Sequence, residues 1–104
     1  MKEVTVQELK QMRDSKEDHQ LIDVRENYEI DIVSIGGESI PMAAVMSNTD
    51  KISRDKKVII HCRSGARSAA IVQNLEKSGF TNVYNLKGGI LAWAREIDTN
   101  LPSY

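Results

Sequence analysis

The segment that most constrains the fold of this chain is a run of β-branched residues that leads into a helical pattern. Lys57–His61 has three β-branched residues in succession, which favours a strand. From Ala66 to Lys77 apolar residues recur at helical spacing, and Gly79 is well placed to end that helix. A strand that leads through a short loop into a helix is the repeating unit of a parallel α/β sheet.

The rest of the chain alternates in the same way. Thr5 and Glu8 have the spacing of a capping box, so we predict a helix over residues 6–13 after a very short edge strand at Val4. The other predicted elements are, in order, a loop over 14–19, a strand over 21–24, a helical turn or two over 27–32, a short strand over 39–41, a helix over 42–48, a polar loop over 48–50, a strand over 82–86 and a final helix that buries Ile90, Trp93, Ala94 and Ile97. This alternation predicts one α/β domain over residues 1–104, with a parallel β-sheet flanked by helices on both faces.

Composition narrows the classes of function. A net charge of −1 offers no overall attraction to nucleic acid or anionic lipid. Charged residues interrupt the first ten positions, so they do not resemble a signal peptide, and no run of about 18 apolar residues exists to cross a membrane. A single cysteine cannot form an internal disulfide and suits a reducing compartment. We therefore expect a cytoplasmic protein without nucleic-acid or membrane partners, whose one thiol is a candidate for its chemistry.

That thiol, Cys62, lies in the loop between the strongest predicted strand and helix. Ligands of parallel sheets bind at the carboxyl ends of the strands, and N–H groups at a helix N-terminus favour an anion. Arg63 and Arg67 add two positive charges, so we expect the pKa of Cys62 to be lowered. Gly65 allows a sharp turn in which N–H groups converge on the sulfur. The predicted cradle around the sulfur consists of Arg63, Ser64, Gly65, Ala66 and Arg67.

The same residues allow other interpretations. A lone cysteine after an apolar strand is often buried and inert, but the nearby arginines, glycine and helix start favour a reactive site. His61 precedes Cys62 on a strand, so the two side chains should point oppositely, and we expect a structural or orienting role for His61. His19 is expected to be solvated in a polar loop. Neither histidine has metal-ligand spacing with Cys62, and we predict no metal and no cofactor.

Three segments together resemble the rhodanese family along nearly the whole chain. Leu21–Glu26, with Glu29 three residues further on, is similar to the first signature of the family, Cys62–Ser68 to its active-site loop, and Asn85–Trp93 to its C-terminal signature. The ending Leu101–Tyr104 also resembles rhodanese domains appended to adenylyltransferases that load sulfur onto ubiquitin-like carriers.

The resemblance implies a sulfurtransferase. Cys62 would take the sulfane sulfur of a donor such as thiosulfate as a persulfide and pass it to cyanide, a thiol or a sulfur-carrier protein. The N–H groups of residues 63–67 would stabilise the persulfide anion. By the same resemblance, Asp23 and Arg25 form a salt-bridged hinge below the site, and Trp93 has a packing role. The stretch over residues 33–41 departs from the family pattern because it lacks the usual Gly-His pair, which puts the shape of the site rim in question.

Two other functions remain open at this level. Phosphatases and arsenate reductases share the fold but place five residues between the cysteine and the loop arginine, whereas four separate Cys62 from Arg67. A shorter loop suits a single sulfur atom better than a tetrahedral oxyanion. The second alternative is a non-catalytic rhodanese-type module that only binds a partner. Such modules often lack the cysteine that this chain retains.

Overall fold

A computed structural model, which describes residues 1–104, contains a five-stranded sheet in which every strand pair is parallel. The strands are β1 (Glu3–Val4), β2 (His19–Asp23), β3 (Glu38–Ser39), β4 (Lys57–His61) and β5 (Val83–Leu86). Their order across the sheet is β1-β5-β4-β2-β3, which places β4 in the middle. The predicted parallel α/β sheet is confirmed, and the carboxyl end of its central strand leads into Cys62.

Helices cover both faces of the sheet, as predicted. They are α1 (Val6–Asp14), α2 (Asn27–Ile32), α3 (Met42–Val45), α4 (Ala66–Lys77) and α5 (Gly89–Glu96). Successive residues of a strand point to opposite faces, and Ile59 and Ile60 accordingly belong to two different apolar clusters. The cluster that contains Ile60 packs against α3 and α4, and the one that contains Ile59 packs against α1 and α5. None of these helices has the length and apolar character needed to cross a bilayer.

Local signals predicted α1 and α4 well. At the start of α1, Glu8 N–H donates to the Thr5 hydroxyl over 3.1 Å and Thr5 N–H donates to the Glu8 carboxylate over 3.0 Å, which completes the capping box. α4 has the predicted bounds and buries its apolar stripe against the sheet. Gly79 follows it with φ +97°, a left-handed conformation suited to glycine. Both helices are set by residues close in sequence.

Boundaries set by long-range pairing differ from the prediction. β2 begins at His19, within the predicted loop, because His19 pairs with Lys57 of β4. His19 is therefore a half-buried strand residue, and its Nδ1 lies 2.7 Å from the Glu17 carbonyl. β3 covers Glu38–Ser39 only, and β5 begins at Val83.

Two helix predictions are also corrected. The helix expected over residues 42–48 ends at Val45, because the Asn48 amide and the Ser47 hydroxyl both donate to the Ala44 carbonyl. A 3-10 helix over Thr49–Lys51 then replaces the predicted loop. In α5 the buried residues are Gly89, Ile90, Ala92 and Trp93. Ala94 and Ile97 are only half-buried, since α5 ends at Glu96 and the apolar stripe ends with it.

Candidate active site

Cys62 lies directly after the central strand β4, and its side chain is buried, with 1% of the residue exposed. The loop that follows turns at Gly65, whose φ of +106° is left-handed, and α4 begins at the next residue. Gly65 therefore makes the sharp turn between Cys62 and α4. Ser64 and Ala66 lie exposed at the rim of this loop.

Hydrogen-bond donors surround the Cys62 sulfur. Gly65 N–H donates to Sγ over 3.1 Å, and the Ser68 hydroxyl oxygen lies 3.4 Å from Sγ. Burial raises the pKa of Cys62, but the Ser68 side chain and the backbone N–H groups of Ser68, Gly65 and Ser64 lower it by more. The pKa of Cys62 therefore lies below its ordinary value, mainly through hydrogen bonds to the sulfur. The arginines, from which we expected this effect, are not its largest source.

The first turn of α5 orients the peptide groups of the loop. Ile90 N–H donates to the Cys62 carbonyl over 3.0 Å, and Leu91 N–H donates to the Arg63 carbonyl over 3.1 Å. In a trans peptide the N–H points opposite to the carbonyl, so the N–H groups of Arg63 and Ser64 are turned away from α5. Gly89 permits this approach, because a Cβ there would lie 2.5 Å from the Arg63 carbonyl oxygen.

Arg67 forms a bidentate ion pair with Glu29 on α2. The two guanidinium nitrogens donate to the two carboxylate oxygens over 2.8 and 2.9 Å. These bonds lower the pKa of Glu29 to about 2 against the opposing effect of burial, and the Glu26 N–H and the Tyr104 hydroxyl assist. The carboxylate in turn raises the pKa of Arg67. The Glu29 carboxylate thus neutralises the positive charge of Arg67, and the ion pair joins α2 to the start of α4.

Arg63 is in a different situation. Its guanidinium lies over the Tyr104 ring, 4.9 Å from the ring centroid, and it has no ion pair. Its Nε is buried without a hydrogen-bond partner. Arg63 therefore offers an unmatched positive charge beside the residue that bears the sulfur.

A buried network supports the site from below. Arg25 is fully buried, and its guanidinium donates to both Asp23 carboxylate oxygens over 2.8 to 3.2 Å, which is the salt-bridged hinge that the resemblance implied. Arg25 also donates to the Val33 carbonyl over 2.8 Å and to the Tyr104 hydroxyl over 2.9 Å. The Tyr104 hydroxyl donates in turn to Glu29 over 3.1 Å. The atypical 33–41 segment is thus anchored to this network at Val33.

His61 is buried behind the loop. Its Nε2 lies 3.5 Å from Asp23 Oδ2, and it makes no hydrogen bond to the Cys62 sulfur. Burial lowers the pKa of His61 more than the nearby Asp23 raises it. His61 is consequently a neutral residue of the core at neutral pH, in keeping with an orienting role. No three His, Cys, Asp or Glu side chains are grouped as metal ligands would be.

Sequence reasoning missed four contributions to this site. It assigned no contact to Ser68, whose hydroxyl contacts the sulfur, and no role to Glu29, Tyr104 or Asn85. The Asn85 amide accepts a hydrogen bond from Ser68 and donates one to Gly65. A polar residue inside the apolar strand β5 was the signal that could have identified Asn85. The pairing of Glu29 with Arg67 and the contacts of Tyr104 carry no such local signal, because these partners are distant in sequence.

Comparisons with known proteins agree with this geometry. The family described as "Rhodanese-like domain" matches residues 5–96. The chain is 38% identical over 94 residues to a protein of Allochromatium vinosum named "Sulfurtransferase", and the match covers 89% of this chain and 88% of that protein. The crystal structure of a rhodanese-like domain protein from Staphylococcus aureus covers 100% of this chain, with 99% of its own chain matched, at 30% identity and a TM-score of 0.83.

Some relatives are much longer proteins. The chain is 36% identical over 104 residues to the probable adenylyltransferase/sulfurtransferase MoeZ of Mycobacterium tuberculosis. That match covers 97% of this chain but only 26% of MoeZ. The chain thus spans about a quarter of the length of this curated relative.

Proposed function

Because this chain belongs to the rhodanese-like domain family, we propose that it is a sulfurtransferase that carries sulfur as a persulfide on Cys62. The observation that carries the proposal is the short contact from Gly65 N–H to Cys62 Sγ, 3.1 Å, inside a loop that lowers the pKa of the thiol. The thiolate is the nucleophilic form of cysteine. The N–H groups of the loop would then stabilise the persulfide anion that replaces the thiolate.

The proposed reaction has two steps. The Cys62 thiolate attacks the sulfane sulfur of a donor such as thiosulfate, a new S–S bond forms, and sulfite leaves with the electron pair of the bond that breaks. A nucleophile such as cyanide or a thiol then attacks the outer sulfur of the persulfide. The Cys62 thiolate is the leaving group and is regenerated. The outer sulfur becomes bonded to the nucleophile, and the electron pair of the broken S–S bond leaves with Cys62. No external oxidant, reductant or cofactor is required, because each step exchanges one bond to the transferred sulfur for another.

We propose that Arg63 receives the anionic part of the donor. Arg67 carries the same charge, but the Glu29 carboxylate already neutralises it. Arg63 lies one residue from Cys62, has no carboxylate partner and is held against the Tyr104 ring. An incoming dianion would meet its charge without first breaking an ion pair.

For the acceptor we propose a thiol protein or a sulfur-carrier protein of the ubiquitin-like kind. The likeness to MoeZ, whose name joins adenylyltransferase and sulfurtransferase, supports this proposal, as does the resemblance of the ending Leu101–Tyr104 to appended rhodanese domains. A reducing compartment such as the cytoplasm is proposed as the location, since Cys62 must return to a free thiol after each transfer.

Neither alternative function is favoured by a feature of the site. A phosphatase needs its loop arginine turned toward a tetrahedral anion, whereas Arg67 is bound to Glu29. A module that only binds a partner has no need for N–H groups aimed at a cysteine sulfur.

Mass spectrometry tests the proposal directly. After thiosulfate treatment, the native protein should gain the mass of one sulfur, and dithiothreitol should remove it. Cys62→Ser should keep the fold, as checked by circular dichroism, and should lose both the mass gain and thiosulfate:cyanide sulfur transfer. Substantial transfer by a folded serine variant would exclude the persulfide mechanism.

A further inference from the structure

Asn85 is a buried amide on β5 that joins the two residues in contact with the Cys62 sulfur. It is 3% exposed. Its Oδ1 accepts a hydrogen bond from the Ser68 hydroxyl over 2.5 Å, and its Nδ2 donates to the Gly65 carbonyl over 3.3 Å. The proposed reaction does not use this amide. Its position suggests a role in setting the protonation state of the Cys62 sulfur.

The orientation of the amide follows from its partners. A reversed Asn85 would place its oxygen against the Gly65 carbonyl, and two acceptors would then face each other. The bond to Gly65 therefore directs Oδ1 toward Ser68. Ser68 is fully buried, so no water competes for its hydroxyl group.

The Ser68 hydroxyl has one proton and two neighbours that can accept it. When it donates to Asn85, its lone pairs face Sγ at 3.4 Å and can accept the proton of the Cys62 thiol. A thiolate or persulfide has no proton to give and needs a donor. The hydroxyl must then turn toward the sulfur and leave Asn85.

We propose that Asn85 is a positioning residue that holds the Ser68 proton while Cys62 is a thiol and releases it to the sulfur when the sulfur becomes anionic. The change is a rotation about the Cβ–Oγ bond of Ser68. No bond between heavy atoms forms or breaks, and the thiol proton passes to solvent. The proposal rests on the proposed function, because an anionic sulfur is what that function requires.

Other charges around the loop do not contact the sulfur. Titratable and charged groups on the surrounding elements include Glu3 on β1, Asp23 at the end of β2, Arg25 just after it, Glu29 on α2, His61 on β4, Arg63 in the loop, Arg67 on α4 and Tyr104. None of them hydrogen-bonds to Sγ, whose side-chain contact is Ser68. A change at Asn85 thus acts on Cys62 through Ser68 and Gly65.

A double-mutant cycle on thiol reactivity tests the proposal. Cys62 alkylation by iodoacetamide is followed against pH in the native protein, Asn85→Leu, Ser68→Ala and the double variant. Asn85→Leu removes the hydrogen bond to Gly65 whether or not Ser68 is present. The difference between its effects in the native and Ser68→Ala backgrounds therefore measures only the proton that Ser68 shares between Asn85 and the sulfur. Compared with its effect in the Ser68→Ala background, Asn85→Leu in the native background should shift the pKa of Cys62 downward. Below the pKa of Cys62, this coupling should correspond to a two- to tenfold difference in alkylation rate, about the free energy of one hydrogen bond.

A coupling of zero, or one that raises the pKa, would overturn the proposal and leave Asn85 as a support for Gly65 alone. If Asn85→Leu does not fold, NMR on the native protein and on Ser68→Ala still tests the proposal. The Asn85 side-chain amide resonances should titrate with Cys62 in the native protein and not in Ser68→Ala, and equal titration in both would contradict the proposal. No sulfur donor is present in either experiment, so a failure of sulfur loading remains a separate result.

Discussion

At the scale of single residues, the fold gives different surroundings to two arginines that lie four positions apart in the sequence. The Arg67 guanidinium donates two hydrogen bonds to the Glu29 carboxylate, whereas that of Arg63 lies against the Tyr104 ring without an ion pair. Two charges that look equivalent in the sequence therefore have different tasks. One holds α2 to the loop, and the other is available to an anion.

Substitution by glutamine should separate these tasks. Arg63→Gln should raise the KM for thiosulfate about three- to tenfold, the effect of one lost charge–anion contact, with little change in the free energy of unfolding. Arg67→Gln should lower that free energy by about 1–3 kcal/mol, because it leaves the buried Glu29 carboxylate unpaired. Urea unfolding and steady-state kinetics measure the two effects. Equal effects of both substitutions on KM would contradict this assignment.

Glu29 also predicts how stability depends on pH. Its pKa is lowered from 4.5 to about 2 in the folded protein, so its contribution is fully present above pH 4.5 and is lost as the pH falls toward 2. That contribution is about 3 kcal/mol. Glu29→Gln should flatten the fall in stability between these pH values, measured by urea unfolding at each pH. Asp31→Asn on the same helix, at an exposed carboxylate, is the control and should leave the profile nearly unchanged.

At the scale of elements, the site is a junction of β4, α4 and the first turn of α5. The N–H groups of Ile90 and Leu91 donate to the Cys62 and Arg63 carbonyls, which fixes the peptide groups that carry the Arg63 and Ser64 N–H. A close approach of α5 to the loop is required for this. Gly89 lies at the point of closest approach, where a Cβ would meet the Arg63 and Cys62 carbonyls at 2.5 and 2.7 Å.

Substitution of Gly89 and of Gly65 by alanine should therefore reduce stability by different amounts. Gly89→Ala forces backbone apart and should cost about 2–4 kcal/mol of stability, together with most of the sulfur-transfer activity. Gly65→Ala is also strained, since φ is +106°, but its nearest contact would be 3.5 Å, so we expect a smaller loss of about 1–2 kcal/mol. Thermal unfolding compares the stability of the two variants, and thiosulfate:cyanide sulfur transfer compares their activity. A greater loss of stability in Gly65→Ala would show that backbone conformation, and not the α5 contact, limits the loop.

At the scale of the whole molecule, segments far apart in sequence meet at one edge of the sheet. Arg25 follows β2, Glu29 lies on α2, Arg63 follows β4, and Tyr104 returns from the other end of the chain to contact all three. The Tyr104 hydroxyl joins the buried network, and its ring supports Arg63. This segment therefore links global stability to the geometry of the site.

Two substitutions at Tyr104 should separate the hydroxyl from the ring. Tyr104→Phe keeps the ring under Arg63 and removes the hydrogen bonds to Arg25 and Glu29, so we expect a loss of about 1 kcal/mol in stability and little change in KM. Tyr104→Ala should lose about 1 kcal/mol more and also raise the KM for thiosulfate, because Arg63 loses its support. Unfolding and kinetics on both variants provide the measurement. An unchanged KM in Tyr104→Ala would show that the ring does not position Arg63.

The sequence by itself determined the features that depend on neighbours in the chain. The β-branched run of β4, the capping box of α1 and the stripe of α4 each set their own element, because the interactions that form them span a few residues. The same holds for Cys62 and Gly65, which adjoin the carboxyl end of β4 and the start of α4. A strand, a loop and a helix in immediate succession leave little freedom in where the thiol lies.

Only the tertiary structure decided which side chains complete the site. Arg67 meets Glu29 across 38 positions, and Arg25 meets Tyr104 across 79. Strand order alone brings Asn85 of β5 beside the loop that follows β4, and strand pairing extends β2 back to His19. Such contacts depend on how whole elements pack, and nothing in the local pattern distinguishes Arg63 from Arg67. The charge that an anion can reach is therefore a property of the folded chain.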